Sequence, residues 1–269
     1  MFGAILGDII GSPYEFDRGN KTKDFRLFSG RSMFTDDSVM TIAVAEAFME
    51  AEKGASDEEI KQLMTSNMRR WGRKYPYAGY GMRFSIWLAE PRPKPYGSYG
   101  NGSAMRVSSA AWLFDDLETV RKMARLSAEV THNHPEGVKG AESTAAAIFL
   151  ARTGKTKGEI KEYITREFGY DLSRTCDEIR PTYYHIESCM GTVPEAITAF
   201  LEGEAFEDVI RTAVSLGGDC DTLTAIAGSM AEGFYGIPED LKTECYFRVT
   251  DEMKDVMRRF EERRMSYGK

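Results

Sequence analysis

An all-α fold, a single compact bundle of helices over residues 1–269, is what this chain predicts. Apolar residues recur at helical spacing through most of its length. Ser/Thr-x-x-Glu boxes, which mark helix starts, occur at Ser56-Glu59, Thr156-Glu159 and Thr192-Glu195. Strand-like alternation is scarce, and neither a linker nor a clear internal repeat divides the chain.

Taken in order, Gly3, Gly7 and Gly11 recur every four residues and give a first helix one smooth face. Residues 36–53 carry Val39, Met40, Ala43, Val44, Ala47 and Phe48 at helical spacing, with Gly54 as a stop. The box at Ser56 opens a helix with Ile60, Leu63, Met64 and Trp71 on one side. A further helix is expected to start near Ser103. Pro135 and Pro194 sit where a first helical turn tolerates proline. Residues 221–235 are rich in small side chains and read as buried, whereas 239–265 read as one long, charged, peripheral helix. Residues 15–34, 89–102 and 169–191 read as loops.

Composition removes several classes of function. The net charge is −7, with acidic and basic residues interspersed and no basic block, so nucleic-acid binding is not expected. No stretch approaches the roughly 20 apolar residues of a membrane span. The opening MFGAILGDIIGSPYEF lacks a basic leader and carries Asp8, unlike a signal peptide. Cys176, Cys189, Cys220 and Cys245 form no C-x-x-C pair, which suits free thiols in a reducing cytoplasm. With only His132, His134 and His185, a histidine-rich zinc site is not expected. The expectation is a cytoplasmic monomer.

Two short acidic clusters carry the chemistry. Thr35-Asp36-Asp37 and Asp219-Cys220-Asp221-Thr222 lie far apart in sequence, and each leads into an apolar helical run. Together they offer four carboxylates and two hydroxyls, a hard-oxygen set that suits magnesium or manganese. The competing reading makes Asp36 and Asp221 helix caps, because Asp and Thr are favoured there. Asp8, inside the glycine-rich first helix, is expected to be buried near the site and hydrogen-bonded. The run Gly97-Ser98-Tyr99-Gly100-Asn101-Gly102-Ser103 is either an ordinary turn or a phosphate cradle, whose backbone N–H groups approach an anion. Tyr96 and Tyr99 either stack on a base or anchor this loop to the core.

In combination, GAILGDIIGSPYEF, FTDDSVM, GNGSAMRVSSAAW, THNHPEG and SLGGDCDTLTAIAGSMAEGFYG resemble the ADP-ribosylglycohydrolase family, in order over residues 3 to 236. The resemblance implies an orthogonal all-α bundle that binds two Mg2+ or Mn2+ ions and releases ADP-ribose from a protein side chain or small acceptor. It implies metal ligation by Thr35, Asp36, Asp37, Asp219, Asp221 and Thr222. Catalytic work would fall to Glu15, Asp37 and Asp219. Tyr99, Asn101, Gly102, Ser103, Met105 and His132 would contact the ligand, with the diphosphate along Asn101, Gly102 and Ser103. Cys220 departs from the Thr or Ala common in the family, and residues 75–99 have less obvious counterparts. The expected partner is ADP-ribose or an ADP-ribosylated protein. The alternatives are an inactive ADP-ribose-binding or structural protein of the same fold, and a metal-dependent hydrolase of another nucleotide-like substrate.

Glycosidic cleavage passes through an oxocarbenium-like state. A metal pair suits the ribose hydroxyls and an attacking water. A nearby carboxylate such as Glu15 suits the water's proton, although a carboxylate that binds metal is a poor base.

Overall fold

The structure is a computed structural model and describes residues 1–267. Among the described residues every regular element is helical; strand pairing is reduced to an isolated antiparallel bridge between Gly100 and Ser188. Helix α1 (Phe2–Gly11) runs into a 3-10 turn at Ser12–Tyr14. Thr35 caps α2 (Asp36–Glu50), and Ser56 with Glu59 forms the expected capping box of α3 (Asp57–Lys74). There follow α4 (Met82–Ala89) and two single turns, α5 (Gly102–Met105) and α6 (Ala110–Leu113). Asp116 caps α7 (Leu117–Glu129), and His134 caps α8 (Pro135–Arg152), whose first turn holds Pro135. The Thr156–Glu159 box opens α9 (Lys157–Phe168). The chain continues through α10 (Cys176–Ile179), α11 (Cys189–Glu202), α12 (Phe206–Leu216), α13 (Cys220–Tyr235), α14 (Glu239–Arg248) and α15 (Asp251–Tyr267).

Helix α13 is the axis of the assembly: Cys220 to Glu232 are buried, and α1, α8, α11 and α12 pack around it. All ten residues of α1 are buried as well. The four-residue glycine spacing explains how the two helices approach. A Cβ at Gly3 or Gly7 would overlap the backbone of Gly228 or Thr224, and one at Gly11 would come within 2.6 Å of the Cys220 carbonyl oxygen. Backbone-to-backbone contact of this kind sets Asp8 of α1 against the first turn of α13. An apolar cluster from Phe2 to Phe260 surrounds the pair.

Several sequence expectations need correction. Thr192 and Glu195 do not cap a helix, because α11 begins earlier, after Ser188. The Thr192 hydroxyl donates to the Ile186 carbonyl (2.9 Å), and Glu195 pairs with Arg174. Pro194 therefore lies inside α11, where the absent N–H costs the bond to the carbonyl four residues earlier. The segment 239–265 is two helices. Thr250 restarts the chain by accepting from the Met253 N–H (3.4 Å) and contacting the Tyr75 hydroxyl (2.8 Å). Nor is it wholly peripheral: Met253, Val256, Met257 and Phe260 form a buried stripe at helical spacing. The expected loop 169–191 contains α10, opened by a Thr175–Glu178 capping box of the same kind used elsewhere. The helix expected near Ser103 is a single turn with Asn101 at its N-cap position, where the side chain makes no capping bond.

Candidate metal centre and substrate cavity

The first turns of α2 and α13 meet beside α1. Asp36 and Asp37 begin α2, Asp219 occupies the N-cap of α13, and Asp221 and Thr222 lie in its first turn. Carboxylate oxygens of Asp8, Asp37 and Asp221 all lie within 4.8 Å of one another, as do those of Glu15, Asp219 and Asp221. Asp221 is thus common to both triads. The Thr222 hydroxyl donates to Asp37 Oδ2 (3.1 Å), joining the two sequence clusters.

Asp8 fixes α2 to α1. It accepts from the Thr35 N–H (2.8 Å), the Thr35 hydroxyl (2.6 Å), the Ser38 N–H (3.0 Å) and the Ser38 hydroxyl. The expectation of a buried, hydrogen-bonded Asp8 near the site holds. Thr35 Oγ1 also lies 3.3 Å from Asp37 and 3.4 Å from Asp221.

Glu15 follows the 3-10 turn on a strained loop. Phe16 and Asp17 have φ of +58° and +54°, a region L-residues seldom occupy. Asp17 holds the loop down by accepting from the N–H groups of Gly218 (2.8 Å) and His185 (3.2 Å). Gly217 and Gly218, at φ +78° and +76°, make the turn that delivers Asp219 to the site.

These acids, four buried and two (Glu15 and Asp36) half-buried, repel one another. Burial, then the charge of Asp221, raises Asp8 and Glu15 to about 7. The same two causes hold Asp36, Asp37 and Asp219 well above the ordinary carboxylate range, and burial raises Asp221. Among the described residues none of these six carboxylates is in an ion pair, and Asp37 Oδ1 is buried without a hydrogen-bond partner. An all-oxygen set with unmet negative charge and a free buried acceptor fits hard divalent cations. The capping reading is accurate only in part, since Thr35 and Asp219 hold the cap positions and Asp36 and Asp221 do not.

The centre opens into a cavity of about 500 Å³, within the range of small-ligand sites. Glu15, Asp36, Asp37, Asp219, Asp221 and Thr222 line it together with Asn101, Gly102, Met105 and His132. Asn101 connects the glycine-rich loop to the acids, donating to Asp219 Oδ2 (2.6 Å) and Thr192 Oγ1 (3.0 Å). Two expected ligand contacts lie elsewhere. Tyr99 is half exposed outside the cavity lining, with its ring edge-on to His134. The Ser103 hydroxyl points behind the loop and donates to the Gly137 carbonyl (2.7 Å). Cys220 also points away, its thiol buried beside the Val214 carbonyl.

The sequence reading missed one wall of the cavity. Gly79, Gly81, Met82, Arg83 and Phe84 form it with Phe16 and Tyr96. The Arg83 guanidinium sits 4.8 Å over the Tyr96 ring and donates to the Tyr96 carbonyl. Arg106 was missed too, although it is the one charge in the apolar run 103–114. It is 1% exposed, lines the cavity, and is pushed down to about 10 by burial.

A family profile described as ADP-ribosylglycohydrolase matches residues 1–268. The chain belongs to this family. ADP-ribosylhydrolase ARH3 of Homo sapiens is 28% identical over 91% of this chain and 87% of its own. ADP-ribosylarginine hydrolase Tri1 of Pseudomonas putida (strain GB-1) is 27% identical over 88% of this chain and 70% of its own. A solved structure titled ADP-ribosylglycohydrolase-related protein complex superposes with a TM-score of 0.69 at 24% identity, covering 95% of this chain and 94% of that one. The all-helical architecture is therefore that of the ADP-ribosylglycohydrolases. No described helix is long and apolar enough to cross a membrane.

Proposed function

We propose that this family member is a binuclear, Mg2+- or Mn2+-dependent ADP-ribosylhydrolase. It cleaves the bond between the ribose anomeric carbon of ADP-ribose and a modified protein side chain or small acceptor. The observation that carries the proposal is Asp221, shared by two carboxylate triads on the wall of a ligand-sized cavity. Thr35, Asp36, Asp37, Asp219, Asp221 and Thr222 would hold the ions, with Asp8 bracing the set through Thr35 and Ser38. When bound, such ions act as Lewis acids and lower the pKa of water.

The chain's own groups do the rest. Glu15, raised to about 7, sits where a carboxylate takes up a water proton near neutral pH. Asp37 and Asp219 orient the reacting end by their place beside Asp221. The ligand's diphosphate lies along the loop at Asn101 and Gly102, next to Met105 and His132. Arg83 and Arg106 supply positive potential in a cavity whose other charged lining is carboxylate. Tyr96, rather than Tyr99, lines the cavity, and the ring face that Arg83 does not cover would take the adenine.

An inactive binding protein is the weaker reading, because the full acidic set is present and brought together. The deciding experiment offers the purified chain arginine-, serine- and O-acetyl-linked ADP-ribose, with magnesium and with EDTA. Release of ADP-ribose from at least one substrate, abolished by EDTA, is expected. No release from any of them, or equal release in EDTA, rejects the proposal.

A further inference from the structure

The cavity wall opposite the acids contains a chain of donors that ends on His132. Arg106 has no carboxylate partner among the described residues; its Nη2 donates to the Ser127 carbonyl (2.8 Å) and to Thr131 Oγ1 (2.9 Å). Thr131 Oγ1 in turn lies 2.7 Å from His132 Nδ1. The direction of that last bond follows from the neighbours. A guanidinium only donates, so Arg106 occupies a lone pair of the threonine oxygen. The other possible acceptor for the threonine hydrogen is the Ala128 carbonyl, at 3.5 Å. That carbonyl already accepts from the N–H groups of Thr131 (3.0 Å) and His132 (2.7 Å), which fills its two lone pairs. The hydroxyl hydrogen is therefore left for Nδ1. A ring nitrogen that accepts carries no proton, so the neutral imidazole bears its hydrogen on Nε2.

Nε2 faces the ligand loop. A Cβ built on Gly100 or Gly102 would come within 3.4 or 3.3 Å of it. His132 lines the cavity, and its Nε2 makes no hydrogen bond among the described residues. We propose that Arg106 and Thr131 are positioning residues that fix His132 as the Nε2–H tautomer, so that it presents a neutral donor to a phosphate oxygen of the bound ligand. Burial and the charges of Arg106 and Arg83 hold the imidazole well below its ordinary range, which keeps it uncharged at neutral pH. The identity of the ligand rests on the ADP-ribosylhydrolase reading above; the tautomer does not.

Only three histidines are present, so 15N-histidine spectra of the free protein, assigned with His134→Asn and His185→Asn, report the tautomer directly. Nε2–H is expected for His132 in the wild type. Thr131→Val keeps the side-chain shape and removes the hydroxyl; it should give a mixed tautomer and raise Kd and KM for the ADP-ribosyl ligand about tenfold, the loss of one hydrogen bond. Its kcat should stay within about twofold, since the phosphate is remote from the bond broken. Thr131→Ser should restore both readouts, which a purely steric role for the threonine methyl would not predict. Arg106→Met should act in the same direction, and Thr131→Val decides the matter if that variant does not fold. An Nδ1–H wild type overturns the proposal, as does a folded Thr131→Val protein that keeps a pure Nε2–H signal or unchanged affinity. A wild type with the expected tautomer but no ADP-ribose binding rejects the ligand assignment and the proposed function, while leaving the relay in place.

Discussion

Replacing Asp221 by Asn should make the metal-free protein more stable and the metal-loaded protein less so. Asn keeps the shape and the oxygen that accepts from the Thr222 N–H (2.9 Å), so local geometry is retained. What it removes is a charge that raises Asp8, Glu15, Asp36, Asp37 and Asp219. At an effective dielectric of about 20, two full charges 4.8 Å apart repel by roughly 3–4 kcal/mol. Shared protonation of the cluster relieves much of this, leaving a gain of about 1–2 kcal/mol, or roughly 2–6 °C in Tm. Metal affinity should fall by at least about 100-fold, because loss even of an outer-shell partner of a metal ligand costs roughly 10–100-fold. The assay is a melting curve of both proteins in EDTA and in millimolar magnesium. The sign of the pH dependence follows from the same shifts. Carboxylates raised in the folded state stabilise it fully below their unfolded values near 4. They lose that contribution as pH climbs through about 7. The wild-type Tm in EDTA should therefore fall across this window, and less so in Asp221→Asn. An EDTA Tm lower than wild type, or an equal magnesium response in both proteins, would refute this account of the site.

Three further expectations can be checked separately. Glu15→Gln should retain its Tm and ADP-ribose affinity but lose most of its turnover, at least about 100-fold; full activity would leave the reaction without a role for Glu15. Gly102→Val should weaken ADP-ribose binding by about tenfold or more and leave magnesium binding unchanged in calorimetry. The Gly102 backbone is open to an L-residue, but its Cβ would already come within 3.3 Å of His132 Nε2; normal ADP-ribose affinity in the folded variant would remove the loop from the site. The chain should melt in a single transition by calorimetry, as one domain over 1–269, whereas two resolved transitions would divide it.

The acidic clusters were legible in sequence because the donors a hard cation would take are confined to a few residue types. Thr-Asp-Asp and Asp-x-Asp-Thr are informative wherever they fall, and the helix boxes at Ser56 and Thr156 name their own partner three residues on. The same local rule misread Thr192, because Ser188 already starts α11 and the Thr192 hydroxyl serves Ile186 and Asn101. Tyr99 illustrates another limit. Neighbouring residues of a loop point in different directions, so Tyr96 reaches the cavity and Tyr99 faces outward. Arg83 stands in no recognisable motif, and Arg106 lies within GNGSAMRVSSAAW without a role legible there; both came to line the cavity only when α4 and the 103–106 turn were placed beside the acids.

Residue type and local spacing determined by themselves that the chain is helical, that α1 presents a glycine face, and that the chain carries two oxygen-rich clusters of the kind a hard cation would take. All three are properties of a few nearby residues and survive in any context. The tertiary structure alone decided that the glycine face meets α13, that Asp8 and Asp221 thereby come together, and that one carboxylate serves two triads. Those facts depend on contacts between residues some two hundred positions apart, which close packing of two helix backbones creates and no local pattern encodes.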